Sequence, residues 1–357
     1  MAVLYADIDL REKPRWREIA QNVKAIMTLP APMVEIWRGP VLESQHFGHA
    51  VVCNASGEIL LAWGDPSKVI LPRSSAKMLQ ALPLIESGAA QKFGLTLDQL
   101  ALSCASHSGA AIHTDRVQSW LSQLQLSDDD LRCGAQVPQD RDARTKQIRA
   151  EKSPCQYHNN CSGKHAGFLT LAKHLKSGPE YHEIDHPVQQ ACLAVFNEVT
   201  EETSSGFGID GCSAPNHAVS LHGMARAMAF FAAANPDGSL RERAAAQLRI
   251  AMATYPELVA GEGRACTRLM RAMDHKVVVK TGAEGFFIAI IPSLKLGVAL
   301  KITDGATRAA ETAIAAILVK LGVLDARHPE ALRYTNGAIK NWNGIQTGWM
   351  RASAALR

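Results

Sequence analysis

Apolar side chains along this chain recur with two different periods, and the switches between them mark out its elements. Short runs rich in β-branched and aromatic residues, bounded by glycine or proline, predict strands. Val34–Trp37 is the first, followed by Arg38-Gly39-Pro40. Ala50–Cys53 and Ile59–Trp63 flank Asn54-Ala55-Ser56-Gly57, which predicts a hairpin with a glycine-containing loop. Three further strands, Val277–Gly282, Phe286–Ile291 and Gly297–Ile302, fall near the other end. Helical spacing governs most of what lies between. It predicts helices at about 73–87, Leu97–Ser103, 113–125, Ala166–Leu175, His186–Val199, Val219–Ala234, Leu240–Thr254, Ala265–Asp274 and Ala306–Leu321. Residues 126–160 are polar and predict long loops with a little helix, and Gly206–Asn216 predicts an irregular glycine-rich loop. Trp16–Met27 predicts a short helix ending before Pro30, whereas 323–357 carry no clear motif.

Strands therefore cluster at both ends of the sequence. The natural assembly is one sheet built from N- and C-terminal strands with helices around it, an α+β fold. One compact unit is expected over residues 33–357, preceded by an extension at 1–32.

Composition narrows the function classes. The chain has 357 residues, 47% hydrophobic and 20% charged, which is enough for a substantial core. The net charge is only +4, and no Lys/Arg run suggests a nucleic-acid surface. The densest basic stretch, Arg141–Lys152, is interrupted by acids and reads as a solvated segment. No uninterrupted apolar span approaches the roughly 20 residues of a membrane helix. Met1–Asp7 lacks a basic region leading into an apolar core, so no secretory signal is read and a cytoplasmic location is expected. In that setting the eight cysteines suggest free thiols or metal ligands rather than a disulfide framework.

The stretch Leu71-Pro72-Arg73-Ser74-Ser75-Ala76-Lys77 ends a β-like segment and opens a helix. Ser74 and Lys77, three apart, share a helical face, while Ser75 points elsewhere. A serine with a lysine at this spacing can act as nucleophile and base, although serine also caps helix starts and lysine is also commonly solvated. Four other clusters of small and polar residues accompany it. They are Ser103–Gly109, Asn159–His165, Gly208–Asn216 and Lys280-Thr281-Gly282. Cys161 and Lys164, three apart, come together at a helix start, and Cys212 has to arrive from a distant loop; buried unreactive cysteines are the alternative reading.

The runs Arg-Ser-Ser-Ala-Lys, Cys-Ala-Ser-His-Ser, Asn-Cys-Ser-Gly-Lys-His-Ala-Gly, Asp-Gly-Cys and Val-Ala-Gly-Glu-Gly-Arg occur in this order over roughly residues 33–325. Together they resemble the bacterial class 3, Rhizobium-type asparaginases (the asparaginase II family), which are related in structure to serine β-lactamases and penicillin-binding proteins. The resemblance implies a fold of that kind and hydrolysis of L-asparagine to aspartate and ammonia through a β-aspartyl ester. It implies Ser74 as nucleophile, Lys77 as its base partner, and Ser106 with Lys280 as a second Ser–Lys pair. It also implies Cys161, Lys164 and Cys212 as ligands of a zinc ion that shapes the substrate site, Asp210 as a contact for the substrate amine, and a homodimer. Arg73 and His165 are expected beside the substrate. Lys280-Thr281-Gly282 departs towards the strand motif of β-lactamases, so a penicillin-binding or β-lactamase-like serine hydrolase stays open as a rival. A non-catalytic zinc-binding protein is the other.

Overall fold

The computed structural model describes residues 29–357. The helix expected at Trp16–Met27, with most of the 1–32 extension, lies outside the described residues. The strands are β1 (Ala31–Arg38), β2 (Val41–Asn54), β3 (Ile59–Trp63), β4 (Val69–Ile70), β5 (Phe207–Ile209), β6 (Pro215–His217), β7 (Val219–Ser220), β8 (Val278–Gly282), β9 (Phe286–Ile291), β10 (Leu296–Ile302), β11 (Asn336–Lys340) and β12 (Gln346–Ala352).

The main sheet runs in the order β11-β12-β1-β2-β10-β9-β8, with β3 also paired to β2, and its pairs are antiparallel. It is made from both ends of the chain, as the strand clustering predicts. β2 is the splice. Its first half pairs with β1, and its second half, from Gly48 on, pairs with β10. All six residues of β9 are buried, as are all of β10 except Lys301. Strands apolar on both faces need cover on both faces. Helix Leu221–Ala233 packs on β9 and β10, and helix Thr307–Lys320 packs on β9, β10, β1 and β12.

A second group of helices gathers round Lys77–Glu86. This helix buries seven of its ten residues and packs against the helices Ser162–Leu175, Pro187–Thr200 and Leu240–Thr254. Among the described residues no helix is long and apolar enough to cross a membrane.

The structure adds elements where the sequence pattern is weak. Residues 323–357 hold the helix Pro329–Thr335 and the strands β11 and β12. Both strands are half exposed: β11 places only Gly337 and Ile339 on its more covered face, and β12 mixes apolar with polar side chains on each face, so neither carries a strong hydrophobic pattern. The loop expected at Gly206–Asn216 contains the small β5–β6 hairpin. The opening helix begins as a 3₁₀ turn, Arg73–Ala76, before the α-helix takes over at Lys77. Helix Ser162–Leu175 starts four residues earlier than the apolar pattern shows, because its first turn buries Ser162, Lys164 and His165.

Helix Leu221–Ala233 lies so close to β10 that a Cβ at Gly297 would overlap the backbone at Ala225 and Ala229. Gly297→Val is therefore expected to destabilise the fold by about 3 kcal/mol or more, the upper end of overpacking costs. Urea unfolding of the variant beside the parent protein measures it.

Candidate active site

Lys280 stands in β8, and the 3₁₀ turn Arg73–Ala76 lies against the end of that strand. Ser75 Oγ donates to the Lys280 carbonyl at 2.9 Å and is wholly buried. A Cβ at Gly282 would meet Pro72 O at 2.5 Å and Ser75 Oγ at 3.1 Å, so glycine is what lets the turn and the strand touch. Ser75 thus anchors the turn. Ser74 is half-buried, and its side chain makes no hydrogen bond among the described residues.

Arg73 holds a left-handed backbone conformation, φ 51°. That conformation costs a non-glycine residue on the order of 1 kcal/mol. Its side chain is fixed by Asp210, whose Oδ1 accepts from Nε at 3.1 Å and from Nη2 at 2.7 Å. Burial alone would raise the Asp210 carboxyl, but the Arg73 guanidinium outweighs it and holds Asp210 below the usual carboxylate range. Asn216 Nδ2 lies 3.5 Å from Asp210 Oδ2, and Asn216 Oδ1 is buried without a partner among the described residues.

Behind the turn two lysines converge on one serine. Lys77 Nζ reaches Ser106 Oγ at 3.0 Å, Cys161 Sγ at 3.1 Å and the carbonyl of Ala105. Lys280 Nζ reaches the same Ser106 Oγ at 2.8 Å and the Thr281 carbonyl at 3.0 Å. Both lysines are buried. Burial, and after it the nearby Lys77 charge, pushes Lys280 down to about 7. A neutral Lys280 offers a lone pair, and Ser106 Oγ–H is the donor placed to meet it. Ser106 itself is held by backbone bonds that knit three of the sequence clusters together. Ser106 N–H donates to Val259 O at 2.8 Å, and His107 N–H to Asn160 O at 3.1 Å.

Beside this pair lies a second cluster. Cys161 caps the helix Ser162–Leu175, Lys164 sits in its first turn, and Cys212 comes from the loop between β5 and β6. All three are buried, and Lys164 Nζ is 3.1 Å from Cys212 Sγ. The Cys161 thiol beside it, and after that the Lys164 charge, pull Cys212 well below the ordinary thiol range against its burial. The neighbouring Cys212 thiolate, with burial, pushes Cys161 up. Burial works against the Lys164 charge, but the Cys212 thiolate keeps it an ammonium. Two thiols and an amine in one dry corner fit the donor chemistry of a zinc site once their protons leave. Among the described residues no group of three His, Cys, Asp or Glu side chains does so, and a lysine completes this one.

The structure therefore brings Lys77, Ser106 and Lys280 together, brings Cys161, Lys164 and Cys212 together, and pairs Arg73 with Asp210. It leaves Ser74 unbonded to Lys77, although the two share the expected helical face. His165 is fully buried, with Nδ1 2.8 Å from the Tyr181 hydroxyl, so it stands inside the protein behind Lys164 rather than on an open face. His107 bonds Ser162 Oγ at 2.9 Å and stacks on His113, a structural role. Sequence reasoning missed Ala105 and Cys266, which meet Lys77 and the Thr281 N–H. It also missed Gly282 as the point of closest approach. Ala105 acts through its carbonyl, which no side-chain motif reveals.

The family model for L-asparaginase II matches residues 34–352. No curated protein matches the chain. Among solved structures, Mglu in its tris and glutamate form is similar at 11% identity and TM-score 0.46, over 88% of this chain and 68% of that one. A β-lactamase from Mycobacterium bovis is similar at 14% identity and TM-score 0.41, over 76% of this chain and 94% of that one. A class C β-lactamase from Rhodobacter sphaeroides is similar at 14% identity and TM-score 0.38, over 85% and 99%.

Lys280 titrates at about 7 in the fold, against roughly 10.4 in an unfolded chain. Between those values the unfolded chain binds more protons, so this residue makes stability rise with pH across that window. Lys280→Met is expected to raise the unfolding free energy at pH 7 by on the order of a few kcal/mol, and to flatten the pH slope. Urea unfolding at pH 7 and pH 9 tests both. A variant less stable than the parent at pH 7 overturns the burial of Lys280 as a strained base.

Proposed function

The chain belongs to the L-asparaginase II family, and from that premise we propose that Ser74, Lys77, Ser106 and Lys280 are its hydrolytic centre. The protein is an amidohydrolase, an L-asparaginase releasing aspartate and ammonia. The observation that carries the residue assignment is Ser106 Oγ held between two buried lysines, one of which, Lys77, follows Ser74 by three residues.

Two amines bridged by one hydroxyl share protons as a unit. Lys280, pushed down to about 7, loses its proton as pH rises through neutrality. Ser106 Oγ–H can then hand its proton to the Lys280 amine and take one from Lys77, a relay that would free the Lys77 amine. In our reading the Lys77 amine takes the Ser74 proton as Oγ attacks the side-chain amide carbon. The proton then goes to the leaving nitrogen, ammonia departs, and a β-aspartyl ester remains on Ser74. Water, deprotonated by the same amine, cleaves the ester and restores the serine. Asp210 suits the substrate ammonium and Arg73 its carboxylate, so a zwitterionic substrate would replace an internal ion pair with two external ones.

Cys161, Lys164 and Cys212 would hold zinc, with His165 packed behind them. When bound, the ion would supply a fixed positive anchor for the Cys212 loop and so for Asp210, two residues away. The family likeness also supports a homodimer working in the cytoplasm and one catalytic unit over 33–357, with 1–32 as an extension.

Ser74→Ala is expected to cut ammonia release from asparagine by on the order of a thousandfold or more while leaving the circular dichroism spectrum unchanged. In the parent protein kcat/KM should rise with pH through about 7, because the base is active only when deprotonated. Full activity in Ser74→Ala rejects the nucleophile; a rate flat between pH 6 and 8 rejects the lysine pair. For the metal, elemental analysis of the purified protein should find about one zinc per chain, and Cys212→Ser should lose it. Equal zinc in both rejects the ligand set.

A further inference from the structure

A second built site lies on the face of the main sheet that helix Thr307–Lys320 covers. It is a groove of about 750 Å³, and none of its lining residues belongs to the Ser–Lys centre. Its floor is apolar: Ile36 from β1, Ile339 from β11 and Met350 from β12. Its rim carries three arginines, Arg38, Arg308 and Arg333, against one carboxylate, Glu43.

The three arginines are not alike. Arg38 is committed, with Glu43 on Nε and Nη2 and Thr347 on Nη1. Arg333 forms an ion pair through Nε with Glu330 Oε2 at 3.0 Å, and its two terminal nitrogens have no partner among the described residues. Arg308 is the telling one. It gives only Nε, to His46 Nε2 at 3.1 Å. A guanidinium always donates, so His46 Nε2 must be the bare nitrogen and Nδ1 carries the proton. That proton goes to Asp304 Oδ2 at 2.5 Å. Asp304 is fixed in turn, since its Oδ1 accepts the Ala306 N–H at 2.9 Å. His46 is only 7% exposed. A chain of backbone, carboxylate and buried imidazole therefore aims one guanidinium, and both its terminal nitrogens are without a partner among the described residues. Surface arginines seldom receive this support, because an exposed ion pair returns little for the rotamer entropy it costs.

We propose that this groove binds a small phosphorylated molecule. Arg308 and Arg333 hold the phosphate, and the rest of the molecule lies on the Ile36–Ile339–Met350 floor. A guanidinium fork matches phosphate oxygens two at a time, and a tetrahedral dianion can serve two arginines where one planar carboxylate can serve one well. The volume exceeds what a bare phosphate fills and is within the range of metabolite pockets. The site stands apart from the hydrolytic reading and survives or fails without it.

Calorimetric titration of the full-length protein at low salt tests this, with inorganic phosphate and AMP as probes. Both should bind one per chain, AMP the tighter, and added salt should weaken both. Arg308→Ala and Arg333→Ala should each weaken AMP by about tenfold, with asparagine hydrolysis unchanged. His46→Gln, which never touches the ligand, should weaken it by about threefold while the melting temperature shows a folded protein. No binding of either probe at millimolar concentration overturns the proposal. So does equal AMP affinity in the parent protein and Arg308→Ala, or binding of acetate as tight as that of phosphate.

Discussion

Two lysines buried against one serine set the terms for everything around them. A buried ammonium without partners is among the most costly groups a protein can hold, and two side by side repel as well. The fold meets this with acceptors rather than carboxylates. The Ala105 and Thr281 carbonyls, Ser106 Oγ and the Cys161 sulfur accept from the lysines, and among the described residues no Asp or Glu bonds either amine. A carboxylate there would hold both lysines charged and useless as bases. Dipolar acceptors stabilise a proton on one amine while leaving the other free to lose it.

Such a site needs its acceptors placed tightly, and the topology supplies that. Lys77 and Lys280 are about two hundred positions apart in sequence. They meet because the sheet is closed by strands from both chain ends, with β2 pairing to β10 along seven residues. Gly282 then lets the Arg73–Ala76 turn rest directly on β8, and the Ser75 hydroxyl pins it there. Distant pairing of this kind is slow to form but, once packed, leaves little slack. The Ser106 bridge between the two lysines depends on that rigidity.

Much of this was legible in the sequence, for an identifiable reason. The strands β8, β9 and β10 are buried on both faces, so their apolar runs are unbroken, and the helix Leu240–Thr254 falls where its period puts it. The site clusters were legible because small and polar residues interrupt those periods where they ought not to. The first turn of helix Ser162–Leu175 is the clearest case. The apolar period begins only at Ala166 because the polar residues of that turn are buried rather than exposed to water. β11 and β12 were missed for the opposite reason: each is half exposed and carries no strong pattern, and only pairing with β1 fixes it. What remained beyond sequence were contacts made by main-chain atoms, the Ala105 carbonyl above all, and the question of which hydroxyl each lysine chooses.

That choice bears on how the two clusters work together. Lys77 could have bonded Ser74, three residues before it. Instead its amine points inward to Ser106 and to Cys161, which is itself the cap of the helix bearing Lys164. The lysine pair and the thiol cluster therefore share an edge, with Cys161 bonded to Lys77 and set beside Lys164. The loop carrying Cys212 also carries Asp210, and Asp210 holds Arg73, the residue before Ser74. Side-chain contacts alternate here with short stretches of chain to close a ring: Arg73 bonds Asp210, Lys164 bonds Cys212 and Lys77 bonds Cys161, while the backbone joins Ser74 to Arg73, Asp210 to Cys212, Cys161 to Lys164 and Lys77 to Ser74. A ring of this kind has no free end at which one member can relax alone. The strained φ of Arg73 can persist for that reason, because loosening it would break the Asp210 pair and disturb the thiol cluster behind it.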